Sequence, residues 1–424
     1  MTADRCLQPG LIPVEHARQQ LLDAVAPLRD TETLPLEQAC GRVLAQDAGA
    51  QLDLPPCDNS AMDGYALAGD GDTFTLTGKS LAGHPFDGTL KAGECARITT
   101  GAPLPAGADR VVMQEQAELA GEVLHLHTSA AVGEHIRRRG EDVCVGQCLL
   151  RAGHPIRVAD IALLAAAGIS HVTAIRRLRA AVLSVGDELR PLETPAAELG
   201  RGDIYDSNRI ALKAALAQMN IEVIDLGCQP DDPGTIRDAF MRARDSADIV
   251  ITSGGVSVGD ADYTRRVLEE LGQLEMWRLA IKPGKPFAFG RLPREPADGG
   301  NAGAALFFGL PGNPVSALVT LYQLVLPALE KVRGVAESAR HPRLQSRARL
   351  INPIRKAPGR TDYQRGFTYR DGDGLQVVES AGIQGSHILS GFARANCFIV
   401  LSQDSGDCAT GDWVTIEPFL GPLV

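Results

Sequence analysis

The sequence predicts a multidomain protein of the α/β plus β class. We expect a central three-layer α/β domain with a mostly parallel sheet, a β-rich N-terminal region and a small C-terminal β-barrel-like domain. The chain has 424 residues, enough for roughly two to four compact domains. Between residues 179 and 334, β-branched runs alternate with helical patterns, as in parallel sheets whose strands are joined by crossover helices. Short apolar runs between Gly and Pro clusters occupy the flanking regions, a pattern typical of strands and turns.

Composition and charge exclude several classes of protein. Apolar residues make up 44% and charged residues 22% of the chain, which is ordinary globular usage and argues against disorder. The formal net charge of -10 argues against a nucleic-acid partner, because such proteins usually carry a basic excess. The nine cysteines include no CxxC pair and are interpreted as reduced cytoplasmic thiols.

Neither the N-terminus nor the longest uncharged segment predicts a membrane or secreted protein. Residues 1–10 lack the apolar core of a signal peptide. Residues 301–329 carry no charge, but Gly309, Pro311 and Pro314 interrupt the run. We therefore interpret this segment as a buried strand, loop and helix, and we expect a cytoplasmic protein without a membrane partner.

The N-terminal elements follow from local patterns. The first predicted segment is residues 1–33, and its helix is expected over residues 13–25, because the apolar positions there have near-helical spacing and Pro27 follows. We expect this helix to pack on the central domains. Residues 34–150 form the predicted β-rich region. Residues 151–178 are expected to connect the chain back to the β-rich region. This connection should contain a helix from Val158 to Ile169, with Gly168 at its end.

The predicted α/β domain spans residues 179–334, and the predicted all-β domain spans residues 335–424. Asp206 and Asp232 precede two helical patterns as candidate N-caps. A hairpin is expected around residues 370–374 in the C-terminal domain. The expected strands of the α/β domain are 179–185, 221–226, 248–252, 286–290 and 305–308, and its expected helices are 207–219, 233–244, 263–271 and 313–332.

The loops that follow the predicted strands carry the residues most suited to chemistry, since open α/β sheets bind ligands at the carboxyl ends of their strands. Glu188, Asp231 and Asp262 follow three different strands. Together with nearby phosphate-binding groups they suggest a divalent cation, Mg²⁺, which prefers oxygen ligands. Helix capping is the alternative interpretation for Asp231 and Asp262.

Two further loops have the chemistry of anion sites. Residues 253–259, which read SGGVSVG, can bring backbone amides close to a phosphate, although a tight strand-to-helix turn requires the same glycines. Lys282 and Lys285 lie in a loop stiffened by Pro and Gly and suit a phosphate or another oxyanion, with surface solvation as the alternative. Outside this domain, residues 137–139 place three arginines together, which suits phosphate contacts but also a solvated charge run.

Eight ordered motifs resemble the MoeA family of molybdopterin molybdenumtransferases, which is related to the E domain of gephyrin. They extend over nearly the whole chain: DNSAMDGYA (58–66), TGAPLPAGADRVVMQE (100–115), RRRGEDV (137–143), GDEL (186–189), SGGVSVGDADYT (253–264), IKPGKPFAFG (281–290), LPGNPVSA (310–317) and QGSHILS (384–390).

This resemblance implies an enzyme that inserts molybdate into adenylylated molybdopterin, releases AMP and depends on Mg²⁺. It implies catalytic roles for Asp63, Glu188, Asp231 and Asp262, the last three also as Mg²⁺ ligands. Arg278 stands where some relatives carry Lys. The implied molybdate residues are Lys285, Pro286, Arg365 and Ser386, and the implied substrate-binding residues are Thr100, Arg137, Asp142, Ser253, Gly254, Gly255, Ser257, Lys282, Pro311 and Pro314.

The resemblance also implies an elongated homodimer whose active cleft draws on both chains, with molybdopterin adenylyltransferase as a further partner. Two other functions use similar folds. Molybdopterin adenylylation needs only the α/β domain, so the additional β-rich segments argue against it. A scaffold of gephyrin type shares the whole fold, but the intact carboxylates and lysines across the set of motifs favour chemistry.

Overall fold

The structure is a computed structural model, and it describes residues 10–255, 263–294, 303–340 and 344–419. The chain divides into two compact units. We call Thr33–Cys40 with Leu44–Ala174 the N-terminal unit, and the described residues of 1–32, 41–43 and 175–424 the larger unit.

The N-terminal unit is built on a six-stranded, mostly antiparallel sheet, as its strand-and-turn pattern predicts. Its core contains Leu67, Phe74 and Leu124. The predicted helix spans Val158–Ala166, and Gly168 takes a left-handed φ of 84° just after it. In spatial order the strands are Arg110–Met113, Gly64–Leu67, Glu94–Ile98, Thr73–Ser80, Val123–Leu126 and Ala117–Ala120. Shorter strands are Ala48–Gly49, Asn59–Ser60, Ile136–Arg137 and Cys148–Leu150, and Thr31–Pro35 and His171–Ile175 lie at the boundaries of the unit.

The larger unit contains the α/β domain, whose six-stranded sheet confirms the predicted fold class. Four neighbouring strands are parallel, and two antiparallel strands complete one edge. Successive residues of the central strands enter opposite cores, Val182 on one face and Leu183 on the other, because a parallel sheet covered by helices is apolar on both sides. In spatial order the strands are Glu222–Gln229, Arg179–Val185, Ile249–Ser253, Ala304–Leu310, Pro286–Pro293 and Gln273–Arg278.

Helices cover both faces of this sheet. Asp206 and Asp232 are N-caps, each accepting a hydrogen bond from a backbone amide in the first helical turn, as predicted. The N-terminal helix Val14–Ala24 packs into the same core as the last helix of the domain. The other helices are Ser207–Gln218, Pro233–Ser246, Tyr263–Leu271 and Pro314–Thr320, which continues through a π-helical turn, Leu321–Val325, into Leu326–Val332.

The segment Pro314–Val332 is long and apolar enough to cross a membrane, the one such helix in the described part of the chain. In this fold, however, 72% of its apolar window is buried, and Val319, Leu324 and Leu329 belong to the core. The helix is therefore a core element of the α/β domain, as the interrupted uncharged run predicts.

The C-terminal domain is a small closed β-barrel. Its strands form a continuous ladder, and Thr361–Arg370 pairs with both Gln376–Ser380 and Cys397–Leu401, which closes the barrel. The predicted hairpin is present, with Arg370 opposite Gln376. The short strand Ile281–Lys282 of the α/β domain pairs in parallel with Thr361–Arg370 and so joins the two domains. The remaining barrel strands are Ser346–Leu350 and Trp413–Pro418, and a helix spans Leu389–Arg394.

Candidate functional site

A cavity of about 1130 Å³ lies in the larger unit, where the carboxyl ends of the parallel strands face the C-terminal barrel. Most of the strand-end loops singled out from the sequence contribute to its wall. Eleven of the predicted site residues line it: Glu188, Asp231, Ser253, Gly254, Gly255, Lys282, Lys285, Pro286, Pro311, Pro314 and Ser386.

One wall of the cavity, formed by Ser253–Gly255 and the loops next to it, is suited to bind an anion, and we call it the anion wall. Ser253 ends a buried strand, and Gly254 and Gly255 follow with left-handed φ angles of 87° and 67°. A Cβ atom at Gly255 would lie 2.3 Å from Oγ1 of Thr264, so a side chain there would clash. Glycine is thus required for this close packing, and it leaves the backbone of the loop accessible from the cavity.

Two helices begin at this wall, and their first residues line the cavity. One starts at Ser207 and the other at Pro314. The free backbone amides of a helix N-terminus favour negative charge. Because the Asp206 carboxylate already caps the helix that starts at Ser207, the glycine loop and the helix that starts at Pro314 are the parts of this wall that suit phosphate groups.

Asn208 connects the loops of the anion wall, a role that the sequence did not reveal. Its Nδ2 donates hydrogen bonds to Oγ of Ser253, at 2.7 Å, and to the carbonyl oxygen of Gly312, also at 2.7 Å. The Ser253 hydroxyl in turn lies 3.4 Å from the carbonyl oxygen of Pro311. One amide thus fixes the spacing between two loops that face the cavity.

Two carboxylates, Glu188 and Asp231, bring negative charge to the cavity. Both line the cavity, and neither has a Lys, Arg or His ion pair among the described residues. Their loops are tied together, because the backbone amide of Asp231 donates to Oδ1 of Asp187 at 3.0 Å. Within the described part of the chain, no three acidic, His or Cys side chains converge on a metal position. The predicted third carboxylate, Asp262, and the predicted Ser257 lie outside the described residues.

A buried polar network supports the floor of the cavity. Asp206, 2% exposed, accepts hydrogen bonds from Oγ of Ser184 at 3.0 Å and from Nε of Arg209 at 2.8 Å. Arg209 also pairs with Asp225 at 2.5 Å. Burial lowers the pKa of Arg209, but its two carboxylate partners raise that pKa overall. Burial, with a hydrogen bond to Asp206, raises the pKa of the Cys228 thiol to about 11, so this thiol stays protonated.

The basic wall combines residues of both domains. Lys282 ends the short strand Ile281–Lys282 of the α/β domain, Lys285 lies in the loop that follows it, and Arg360 comes from the barrel. Nζ of Lys282 lies 3.2 Å from Oδ2 of Asp362. Gly284, between the lysines, has a φ of 108°, and a Cβ atom there would lie 2.6 Å from Oγ1 of Thr320. The loop is therefore held against the last helix.

Ser386 lines the cavity, whereas Arg365 lies behind the loop that carries it. The Ser386 carbonyl oxygen accepts a 3.1 Å hydrogen bond from the amide of Val315. Arg365 is 1% exposed, and burial lowers its pKa. Its Nη2 donates to the carbonyl oxygens of Ile383, at 3.0 Å, and Gly385, at 3.1 Å. The structure thus places Arg365 against the backbone of the loop rather than among the lining residues.

The remaining predicted residues lie in the N-terminal unit. The Asp63 carboxylate accepts a 2.7 Å hydrogen bond from the backbone amide of Thr100, and this bond lowers the pKa of Asp63. Arg137 and Asp142 are exposed, and Arg137 is paired in a short ladder with Asn59. The structure therefore brings Asp63 and Thr100 together at an exposed position of this unit.

Three family models match consecutive parts of this chain. They are described as the MoeA N-terminal region (domain I and II), over residues 12–168, a probable molybdopterin binding domain, over residues 181–331, and the MoeA C-terminal region (domain IV), over residues 347–419. Together they cover every domain described above.

Individual proteins are similar over nearly the full length. The molybdopterin molybdenumtransferase of Haemophilus influenzae is 44% identical, covering 96% of this chain and 99% of the relative. Gephyrin of Dictyostelium discoideum is 31% identical, covering 98% of this chain but 63% of gephyrin. A crystal structure of the molybdopterin biosynthesis moeA protein from Pyrococcus horikoshii superposes with a TM-score of 0.79 at 28% identity, covering 96% of this chain and 100% of that one.

Proposed function

The chain belongs to the MoeA family of molybdopterin molybdenumtransferases, and we propose that it inserts molybdate into adenylylated molybdopterin and releases AMP. One observation carries the proposal: a single cavity brings together the anion wall, two carboxylates without an ion pair among the described residues, and the basic wall. The match to MoeA models outside the α/β domain favours insertion over adenylylation, which needs the α/β domain alone.

The anion wall is proposed to hold the phosphates of the adenylylated substrate. Gly254 and Gly255 can present backbone groups, held in place by Ser253, and Lys282 adds positive charge at the same cavity. The bond that must break is the phosphoanhydride between the adenylyl group and the pterin phosphate: water forms the new bond to the adenylyl phosphorus, which gives AMP, and the pterin phosphate is the leaving group. Donors fixed in advance stabilise the charge that develops there without reorganisation during the reaction.

Glu188 and Asp231 fit a Mg²⁺ site, because Mg²⁺ commonly binds one or two carboxylates together with substrate phosphates. Both side chains face the cavity from adjoining loops, and Asp262 is proposed as a third ligand from the family resemblance. When bound, Mg²⁺ would neutralise phosphate oxygens and polarise the phosphorus–oxygen bond. The two carboxylates would hold this charge in the same cavity as the lysines.

Molybdate is proposed to bind at the basic wall beside Lys285, Pro286 and Ser386. Molybdate is a dianion with four acceptor oxygens, so a fixed ammonium and a hydroxyl supply matching charge and donors. Arg365 is proposed to position Ser386, because it holds the backbone of the loop that carries Ser386. We place the reaction in the cytoplasm, with molybdopterin adenylyltransferase as the source of substrate.

We further propose that the protein acts as a homodimer, in which Asp63, Thr100, Arg137 and Asp142 of one chain complete the site of its partner. If so, Asp63→Ala and Lys285→Ala should each abolish activity, and refolding the two variants together in equal amounts should recover about a quarter of wild-type activity. Half of the dimers would be mixed, each with one intact site of two. A monomer mass in light scattering, or no recovery on mixing, would contradict this arrangement.

The proposed reaction is tested by incubating the protein with adenylylated molybdopterin, Mg²⁺ and molybdate while AMP is quantified. AMP release that depends on molybdate is expected. In a second incubation with ATP and unmodified molybdopterin, consumption of ATP would instead indicate adenylylation. Absence of both reactions would indicate a scaffold of gephyrin type.

A further inference from the structure

One face of the C-terminal barrel displays three exposed aromatic side chains. Phe367 is 42% exposed, Tyr369 40% and Trp413 50%. Aromatic residues make up only 4% of the chain, and Tyr263 is the one other exposed aromatic residue in the part of the chain that the structure describes. The rings of Phe367 and Tyr369 contact each other, with centroids 6.0 Å apart. Exposed aromatic rings are therefore concentrated on this face.

The strand pairing places these rings on the outer side of the barrel, in register with an arginine. In a row that crosses four strands, Tyr369 lies opposite Val377. Val377 pairs with Arg349, which in turn lies opposite Trp413. Because side chains alternate along a strand, Arg347 shares the outer face with Arg349. The neighbouring positions of these strands form the barrel core: Ala348, Leu350, Val378 and Val414.

The two arginines bring positive charge to this face. Both are exposed, and neither has an ion pair with a carboxylate of the described residues. Nη2 of Arg347 donates to the carbonyl oxygen of Trp413 at 2.9 Å, which ties this arginine to the strand that carries the indole. We call Phe367, Tyr369, Trp413, Arg347 and Arg349 the outer patch. None of the five is among the residues that line the cavity, so the proposed reaction does not use the outer patch.

The composition of the outer patch is typical of a protein-binding surface. Aromatic and Arg side chains are enriched at protein interfaces and supply most binding hot spots, since each contributes a large contact area together with directed donors. The chain as a whole has a formal net charge of -10, so exposed arginines without ion pairs stand out from the rest of its surface. Charge complementarity therefore favours a partner that brings carboxylates to the patch.

Two other occupants match the outer patch less well. If two copies of the chain met through the same patch, Arg349 would face the like charges of its counterpart. A contact between the patch and a different surface of a second copy would build open filaments unless it closed into a ring. Single-stranded nucleic acid is disfavoured because Glu379, opposite Phe367 in the ladder, adds negative charge to this face, and the acidic chain repels phosphates.

We propose that the outer patch docks a short acidic segment of another protein. Its carboxylates would pair with Arg347 and Arg349, and its apolar side chains would pack on the three rings. From Tyr369 to Trp413 the row crosses three inter-strand spacings, roughly 14 Å, which about four or five residues of an extended chain would cover. Because rings and guanidinium groups intermingle on the patch, the segment must carry acidic and apolar residues together. This docking is separate from the reaction in the cavity.

The probe is a fluorescein-labelled peptide of alternating Glu and Leu, about six residues long, titrated with the full chain and followed by fluorescence anisotropy at low salt. Trp413→Ala and Tyr369→Ser should each raise its Kd about tenfold or more, as loss of an aromatic hot spot does. Arg349→Ala should raise the Kd severalfold at low salt and less at high salt, where the charges are screened. Arg349→Glu should reverse the preference, so that this variant binds a matched Lys–Leu peptide better than the wild type does.

Two control variants change similar residues away from the outer patch. Leu119→Ser alters an exposed apolar residue of the N-terminal unit, and Arg355→Ala removes an exposed arginine that lies outside the barrel strands. Both should bind the Glu–Leu peptide as the wild type does. Circular dichroism should be the same for all the variants, which separates lost docking from lost structure.

Four results would overturn the proposal. The first is no saturable binding of the Glu–Leu peptide up to about 1 mM, and the second is equal binding of the Lys–Leu peptide by the wild type. The third is binding of a single-stranded oligo-dT that Trp413→Ala abolishes, which would make the outer patch a nucleic-acid site. The fourth is self-association in light scattering that Trp413→Ala removes, which would assign the patch to a second copy of the chain.

Discussion

Replacing Glu188 by Gln is expected to slow molybdate-dependent AMP release about a hundredfold or more, whereas the Kd for AMP should change little. Glu188 faces the cavity without a cationic partner among the described residues, so the substitution removes a charge without leaving a buried cation unpaired. A group that stabilises developing charge acts mainly on the transition state, and losing one such group commonly costs about 10²- to 10³-fold in rate.

Single-turnover rates with saturating substrate provide the measurement. Glu193→Gln is the matched control, because Glu193 is exposed on the same segment and does not line the cavity. A Glu188→Gln rate close to that of the control would contradict the role of this carboxylate. An equal loss in AMP affinity would show that Glu188 contributes to substrate binding instead of the reaction step.

Replacing Asp206 by Ala should lower the free energy of unfolding of the α/β domain by about 3 kcal/mol or more, because breaking a buried ion pair leaves an incompletely compensated charge. Arg209 would keep the partly exposed Asp225 but lose Asp206, its buried partner, and the helix starting at Ser207 would lose its N-cap. Ser184 would also lose the acceptor of its hydroxyl.

Asp232→Ala is the control, since Asp232 is also an N-cap of this domain but is exposed. Its loss should cost about 1 kcal/mol. Unfolding in guanidinium chloride can be followed by the buried Trp277 in a Trp413→Phe background, because the chain has only these two tryptophans. Equal shifts in the two variants would show that burial of the Asp206 network adds nothing to stability.

The α/β sheet was predictable because its patterns are local. Alternating strands and helices predicted the four parallel strands, and Asp206 and Asp232 were recognisable as N-caps from their positions before helical runs. The strand Gln273–Arg278 was not predicted. Its side chains alternate between exposed and partly buried at the sheet edge, and its sequence, QLEMWR, lacks a run of β-branched residues.

Some residues of the cavity could likewise be predicted from the sequence, and others could not. Gly-rich and Lys-containing loops after strands are visible in the sequence, so Ser253 and Lys285 were identifiable. Arg360 and Asn208 were not, because each acts through contacts distant in sequence: Arg360 is positioned by the pairing of Thr361 with Ile281, and Asn208 reaches Gly312. Arg365 illustrates the converse, since a motif cannot show that its Nη2 already donates to loop carbonyls.

The central claim is that one cavity holds the oxyanion and the nucleotide phosphate at different walls. The most direct test is an anomalous difference map, recorded at the molybdenum edge, from crystals soaked with molybdate and AMP. The molybdenum peak should lie beside Lys285 and Ser386, and the AMP phosphate should lie at Ser253–Gly255. A molybdenum peak at the Ser253 loop, or outside this cavity, would contradict the account.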